Sequence, residues 1–379
     1  MEYKEYELGE LLYYEQPTPY IVESTDYNDA YETPVLTAGK SFILGYTDEK
    51  EGIYDQLPVI IFDDFTTASQ YVIFKFKVKS SAMKILTPVT ELVLPKYIYY
   101  RIQIIQFDHS THKRYWIQQY SKIRVSIPPI PEQECIVARI EELFSQLDAG
   151  VETLKKTKAQ LAVYRQAVLK EAFEGDYPRK QLKEFSKAIS GFAFKSSRYS
   201  PDGNYVVVKI GNVKERHFDF SRDLTKTLEA DDSILEKYLL RRGDCLITLT
   251  GSRGKRDYGF VAMVGNQNNY LLNQRVAALR FDQSVALPEF FQYYLASPSY
   301  RGMFFGYETG NVGQGNVGIK ALLDPYVILP DIDTQKRIVE DVEDRLSVCD
   351  SIEQTVDTAL QQAEAMRQSI LKDAFEGRL

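Results

Sequence analysis

The seven residues LKEAFEG at 169–175 return as LKDAFEG at 371–377, and they are only the end of a longer match. Displaced by 202 positions, VSIPPIPEQECIV (125–137) lies over VILPDIDTQKRIV (327–339), Gln133 over Gln335, Ser145 over Ser347 and Asp148 over Asp350. RQAVLKEAFEG (165–175) likewise lies over RQSILKDAFEG (367–377), and no gap interrupts the register across about fifty residues. The chain is therefore an internal duplication, and whatever the first copy folds into, the second must fold into as well. A shorter match at the front sets Tyr3, Leu8 and Glu10 over Tyr177, Leu182 and Glu184 with a displacement of 174. The second half thus carries an insert longer by 28 residues, the difference between the two displacements.

The duplicated segments read as long helices. Ile140, Leu147, Leu154, Leu161 and Val168 recur every seven residues, with Phe144, Val151 and Tyr164 near the intervening positions, which draws the narrow apolar seam of a coiled coil. The copy repeats the spacing with Val342, Cys349, Val356, Ala363 and Ile370, and Leu346, Ile352, Leu360 and Met366 between them. Pro131 stands where a first-turn proline is tolerated, and Gly175 and Gly377 stand where a left-handed C-cap would end each helix. A helix from Glu132 to Phe173 would be about 60 Å long at 1.5 Å per residue. Each apolar stripe needs a partner, and its copy supplies one. An antiparallel pairing is expected, because it brings two equivalent domains to opposite ends of a rod.

Between the helices lie two stretches of other character, 8–124 and 182–326. PVIIFDDF (58–65), YVIFKFKVKS (71–80), NYVVVKIGNV (204–213), DCLITLTG (244–251) and YGFVAMVG (258–265) are β-branched or aromatic runs bounded by turn residues, and read as strands. PEFFQYYLAS (288–297) reads as a short helix. The fold class expected is α+β, with sheet-containing domains at 1–125 and 177–327 and repeat helices at 126–176 and 328–379. A chain of 379 residues exceeds what one hydrophobic core usually supports. The two stretches share almost no letters while their flanking helices match, as expected of two heads doing one kind of job on different targets or, alternatively, of a passive duplicate that has diverged.

Several chemistries find no support. GKS at 39–41 has Pro34 where a phosphate loop needs glycine, and Gly313, Gly315 and Gly318 follow no strand, so neither nucleotide motif is complete. LDPYV (323–327) resembles the Asp-Pro-Pro-Tyr loop of amino-group methyltransferases with one proline missing, and its place in the repeat makes it a strand. The Pro-Asp pairs at 201–202 and 330–331 lack the acidic-x-Lys triplet of metal nucleases. His109 and His112 lack a Cys or carboxylate pair at ligand spacing, and Cys135, Cys245 and Cys349 form neither a disulfide framework nor a zinc site. No catalytic or metal-binding residue is assigned. No apolar run approaches the roughly 18 residues that span a bilayer, and the opening MEYKEYELGELLYY is unlike a signal peptide, so a cytoplasmic protein without a membrane partner is expected.

Net charge is −7, which disfavours nonspecific coating of nucleic acid and confines any DNA site to a local basic patch. Lys75, Lys77 and Lys79 alternate, which would place them on one face of a strand, and Lys113 and Arg114 adjoin Tyr115 and Trp116. In the second stretch Arg253, Lys255 and Arg256 sit among glycines, and Lys209 and Asn212 stand with Lys214 and Arg216. Cations position DNA through its phosphates, and Arg, Asn and Gln pair bidentately with purine edges, as Asn273, Gln274 and Arg275 could.

Two unlike modules, each followed by a like helix that opens on PPIPEQ wording and closes on LKEAFEG, resemble the specificity subunit of Type I restriction-modification systems over essentially the whole chain. The second copy departs from the family wording with LPDIDTQKRIV, yet keeps Gln335, Ile338 and LKDAFEG. The resemblance implies a non-catalytic subunit in which each module reads one half of a split double-stranded DNA target and the helix pair sets the unread spacer. It implies two methyltransferase subunits, restriction subunits with motor and nuclease activity, and S-adenosylmethionine, ATP and Mg in those partners rather than in this chain. The contrasting possibility is a coiled-coil scaffold carrying two protein-binding heads, which would bind DNA without sequence preference or not at all. If helix length sets the spacer, inserting about four residues into each long helix adds about 6 Å. The methylated motif should then gain about two base pairs of spacer with both half-sites unchanged, read by methylation mapping.

Overall fold

The computed structural model describes residues 3–39, 41–109, 114–227, 230–311 and 313–379. It divides into two compact units, Met1–Lys155 with Asp357–Leu379, and Lys156–Val356. The division falls within both long helices, Ile130–Ala172 and Ile332–Phe375. Each unit therefore consists of one sheet-containing head, the start of one long helix and the end of the other.

In the first unit a four-stranded antiparallel sheet has the order Leu12–Glu15, Met83–Pro88, Val59–Asp63, Ser69–Val72. Beside it, Thr33–Leu36 pairs antiparallel with Ile43–Thr47 and parallel with Lys77–Val78. The run VIIF is apolar throughout because both faces of that strand are covered. Ile60 and Phe62 join a core with Leu86, Tyr97, Trp116 and Tyr120, while Val59 and Ile61 join another with Val72, Phe76 and Ile85.

The second unit repeats this topology with other letters. Ser186–Ser190, Val276–Phe281, Cys245–Thr248 and Val261–Met263 form the four-stranded sheet. Tyr205–Val208 pairs antiparallel with Lys226–Thr227 and parallel with Tyr270–Leu272. Cys245, Ile247 and Leu279 face one core, and Leu246, Ala262 and Ala278 face the other.

Equivalent contacts tie each head to its helices. Gln133 is fully buried, and its side-chain carbonyl accepts from the Leu94 N–H at 2.8 Å while its NH2 donates to the carbonyls of Leu92 and Pro128 at 3.1 and 2.9 Å. Gln335, also fully buried, accepts from Leu287 N–H at 2.8 Å and donates to Val285 and Pro330 at 2.8 and 2.7 Å. Leu94 and Leu287 are the residues that open the short helices Pro95–Gln103 and Pro288–Ala296. The phenylalanines of the repeated heptapeptide close the same junction from the other long helix. Phe375 packs edge-on against Tyr97, and Phe173 edge-on against Phe290 and Tyr294. The short frontal match is structural too: Leu8 and Leu182 are fully buried, and Glu10 and Glu184 each cap the backbone N–H three residues before them.

Within each unit the long helices run antiparallel. In the first, Ile140 and Phe144 cluster with Leu371 and Ala374, and one turn further on Asp148 takes Arg367. In the second, Arg165 reaches Asp350 and Glu353, and beyond it Glu171 meets Arg345 at 2.8 Å. Arg165 with Asp350 and Arg367 with Asp148 are the same pair exchanged between the copies, one in each unit. Ile140, Leu161, Val168, Val342, Cys349, Val356 and Ala363 are buried, and Leu147, Leu154 and Ile370 half-buried. Tyr164, Ile352 and Met366, between the seam positions, are exposed, so the stripe is narrow.

Two local expectations are corrected. YVIFKFKVKS is not one strand: it breaks after Val72 and resumes only as Lys77–Val78, so Lys75, Lys77 and Lys79 do not share a face. Gly377 takes the left-handed conformation (φ 69°) and closes its helix with Arg378 N–H to Asp373 O at 2.8 Å, whereas Gly175 is not left-handed. A Cβ at Gly175 would lie 2.3 Å from the Tyr177 ring, which packs over the glycine and would have to move for a larger residue. Gln335→Ala should leave three buried backbone groups unpaired and cost about 2–4 kcal/mol. Gln361→Ala on the exposed helix surface should change little, both read from urea midpoints of the purified chain.

Candidate nucleic-acid interface

The additional length of the second half lies in the connections at one end of its sheet. Val208 to Lys226, Thr248 to Val261 and Ala296 to Tyr326 are each longer than the equivalent links in the first unit. Two of them meet as an antiparallel ribbon, Thr250–Ser252 with Gln314–Asn316. A Cβ at Gly315 would sit 2.3 Å from the Tyr258 hydroxyl, so a larger residue there would displace that side chain.

Carboxylates hold the ribbon from beneath. Asp257 accepts from the Ser252 N–H at 2.6 Å and the Ser252 hydroxyl at 3.1 Å, and the backbone bond keeps its carboxyl below the usual range. Glu308 accepts from the Tyr258 hydroxyl and from Arg253 Nε at 3.1 Å, and the tyrosine bond holds its carboxyl low. Burial, followed by Glu308, raises the Tyr258 phenol. Arg301 donates to the carbonyls of Gly259 and Tyr258 at 2.7 and 3.2 Å and fixes the end of the arm.

Two clefts flank the ribbon, of about 570 and 430 Å³. Gln274, Asn311, Gln314 and Asn316 line the first, and Lys214, Ser252 and Gln314 the second. Arg275 lines both. Its backbone is left-handed (φ 69°), and its carbonyl accepts from the Leu249 N–H at 2.9 Å, which holds an exposed arginine in a conformation that costs free energy. Carboxamides and a guanidinium in concave walls are the groups that pair with base edges.

The structure sorts the cations selected from sequence. Gln274 and Arg275 lie together at the clefts, and Arg253 and Lys255 are exposed on the adjoining arm. Arg256, also left-handed (φ 49°), stacks over Phe305 at 4.9 Å. Asn273 is buried with its side-chain oxygen unpaired, below rather than on the surface. Asn212 is buried as well, donating to the carbonyls of Asp219 and Asp223 at 3.1 and 2.7 Å, and is a loop brace. Lys209 is engaged by Asp223 at 3.0 Å and lies over Tyr199. In the first unit Lys77 is buried against Glu49 at 2.8 Å and is withdrawn from solvent, while Lys75 and Lys79 are exposed. Arg114 is exposed, 3.3 Å from the Ser81 hydroxyl, and Lys113 and His112 fall outside the described residues. His109 Nε2 is 2.9 Å from the Thr67 hydroxyl. Among the described residues no three His, Cys, Asp or Glu gather as metal ligands, and no helix is long and apolar enough to cross a membrane.

Sequence reading missed Thr250, Asn311, Gln314, Asn316, Glu308 and Arg301. Thr250–Ser252 and Gln314–Asn316 pair across more than sixty residues of chain, and no local pattern names that partnership. Glu308→Gln should loosen the arm: amide hydrogen exchange over 252–259 should quicken while the sheet amides stay protected.

The family model for the Type I restriction modification DNA specificity domain matches residues 1–162 and 174–362. The Escherichia coli "Type I restriction enzyme EcoR124I/EcoR124II specificity subunit" is 45% identical over 196 residues, 48% of this chain and 48% of its own. The "Type I restriction enzyme EcoKI specificity subunit" of E. coli strain K12 is 29% identical over 279 residues, 69% of this chain and 58% of its own. The chain thus spans about half the length of these curated relatives. A solved chain from work on complex assembly and conformational transition of the type I R-M system superposes with a TM-score of 0.70 at 18% identity, over 100% of this chain and 98% of that one. The HsdS subunit from Thermoanaerobacter tengcongensis gives 0.50 at 18% identity, over 100% and 97%. At that identity the likeness is one of fold.

Proposed function

Since the chain belongs to the Type I restriction modification DNA specificity domain family, we propose that it is the DNA-reading, non-catalytic subunit of a Type I restriction-modification assembly. Each head reads one half of a split double-stranded target, and the long helices set the unread spacer. The observation that carries this reading is the exposed, backbone-strained Arg275 between two clefts walled by Gln274, Asn311, Gln314 and Asn316. These are base-edge donors and acceptors in a concave surface, with Lys214, Arg253 and Lys255 placed nearby to take phosphates.

Chemistry then belongs to partners: two methyltransferase subunits carrying S-adenosylmethionine, which transfer methyl to flipped adenines, and restriction subunits using ATP and Mg, all in the cytoplasm. What this chain contributes is position. Its heads choose where on the duplex the partners act.

A genome-wide map of N6-methyladenine in the host, with and without the gene, tests the reading. One split motif methylated on both strands should vanish on deletion, and Arg275→Ala should relax or abolish one half-site while the other keeps its sequence. An identical map with and without the gene, beside an active methyltransferase subunit, would overturn the reading in favour of a scaffold.

A further inference from the structure

The shared topology of the heads allows the clefts of the second unit to be located on the first. Pairing registers align the strands: Ile60 faces Leu86 as Cys245 faces Leu279, and Tyr14 faces Leu86 as Ala188 faces Leu279. Counting along the strands from these pairs, Ser190 corresponds to Gln16, Gln274 to Ser81, Leu249 to Asp64 and Ala277 to Lys84. Ser190, Gln274 and Leu249 line the first cleft beside Arg275. The corresponding place in the first unit is built from Gln16, Asp64, Ser81 and Lys84, of which Ser81 follows Lys79 by two residues.

At that place the first unit has an unusual base. Lys84 is fully buried, in a sheet position where the second unit has alanine, and its ammonium gathers three pieces of chain. It donates to Gln16 Oε1 at 3.1 Å and to the Ser81 carbonyl at 2.9 Å, and stands 3.5 Å from the Asp64 carboxylate, itself 1% exposed. Asp64 in turn accepts from the Trp116 N–H at 2.7 Å, and its backbone carbonyl accepts from the Tyr115 N–H at 2.9 Å. That fixes the start of the segment carrying Arg114, which reaches the Ser81 hydroxyl. A buried ion pair is a poor source of net stability compared with apolar side chains of similar size. The second unit makes the same fold with Ala277 and Leu249, so the fold does not require the charges. What they accomplish locally is to hold Gln16, Ser81 and Arg114, a carboxamide, a hydroxyl and a guanidinium, as one surface.

We propose that the first head reads its half-site through Gln16, Ser81 and Arg114, with Lys84 and Asp64 as positioning residues beneath them, and not through Lys75, Lys77 and Lys79. This inference rests on the DNA-reading function proposed above. The test is methylation by the chain assembled with the methyltransferase subunits of its own system, on duplexes altered one base pair at a time in either half-site. Gln16→Ala with Arg114→Ala removes two exposed side chains and leaves the Lys84 ammonium with the Ser81 carbonyl and Asp64. It should lower methylation of the cognate duplex by roughly tenfold to a hundredfold and flatten discrimination at the first half-site, leaving the second intact. Lys84→Ala with Asp64→Leu, which installs the apolar pair of the second unit, should keep the melting temperature within a few degrees and still blunt discrimination at the first half-site alone. Undiminished discrimination in the Gln16/Arg114 variant, or loss of it in Lys75→Ala with Lys79→Ala, overturns the proposal. Failure of the unaltered assembly to methylate any split site would instead remove the reading on which it rests, and the inference with it.

Discussion

Both units depend on a buried carboxamide at the start of a long helix. Gln133 and Gln335 are each fully enclosed, and each satisfies one N–H and two carbonyls of the backbone around it. Those backbone groups belong to the loop entering a short helix and to the strand leading into the long one. A single side chain therefore ties both of those segments to the start of the long helix. An apolar residue of the same size would fill the space but strand three polar groups, each costing about 1–3 kcal/mol when buried unpaired. From the opposite side, Phe375 and Phe173 pack against the same short helices. The repeated heptapeptide thus ends each long helix at the junction where the other copy begins.

Charges in the heads divide by depth. Lys77, Lys84 and Asn212 are consumed by internal partners, where an unpaired charge or amide would be far costlier than a paired one. Gln16, Gln274 and Arg275 are exposed at or just beyond strand ends, and Arg114 is exposed on a connection. The sheets supply rigidity and the connections supply the surface, which lets one topology carry two unrelated sets of polar groups. In the second unit the longer connections fold into a ribbon tied down by Asp257 and Glu308. In the first, a buried lysine ties shorter connections together.

The duplication, the heptad spacing and the apolar runs were sufficient to read off two heads and a pair of long helices, because periodicity and repetition are local properties of a sequence. Ile140 and Leu161 could be placed in the seam by counting sevens. That each unit pairs the start of one helix with the end of the other rests on specific contacts such as Arg367 with Asp148. Which cations face solvent was not legible. Lys75, Lys77 and Lys79 look alike in sequence, and only the break after Val72 and the neighbouring Glu49 turn one of them inward. The clefts were equally hidden, since Thr250 and Asn316 meet across a gap that no short-range pattern spans. Sequence alone determined the repeat and the helices, whose stabilising periodicity is written in consecutive residues. Tertiary structure decided which polar groups line the clefts and which are buried, because burial and pairing of a polar side chain depend on segments distant in the chain.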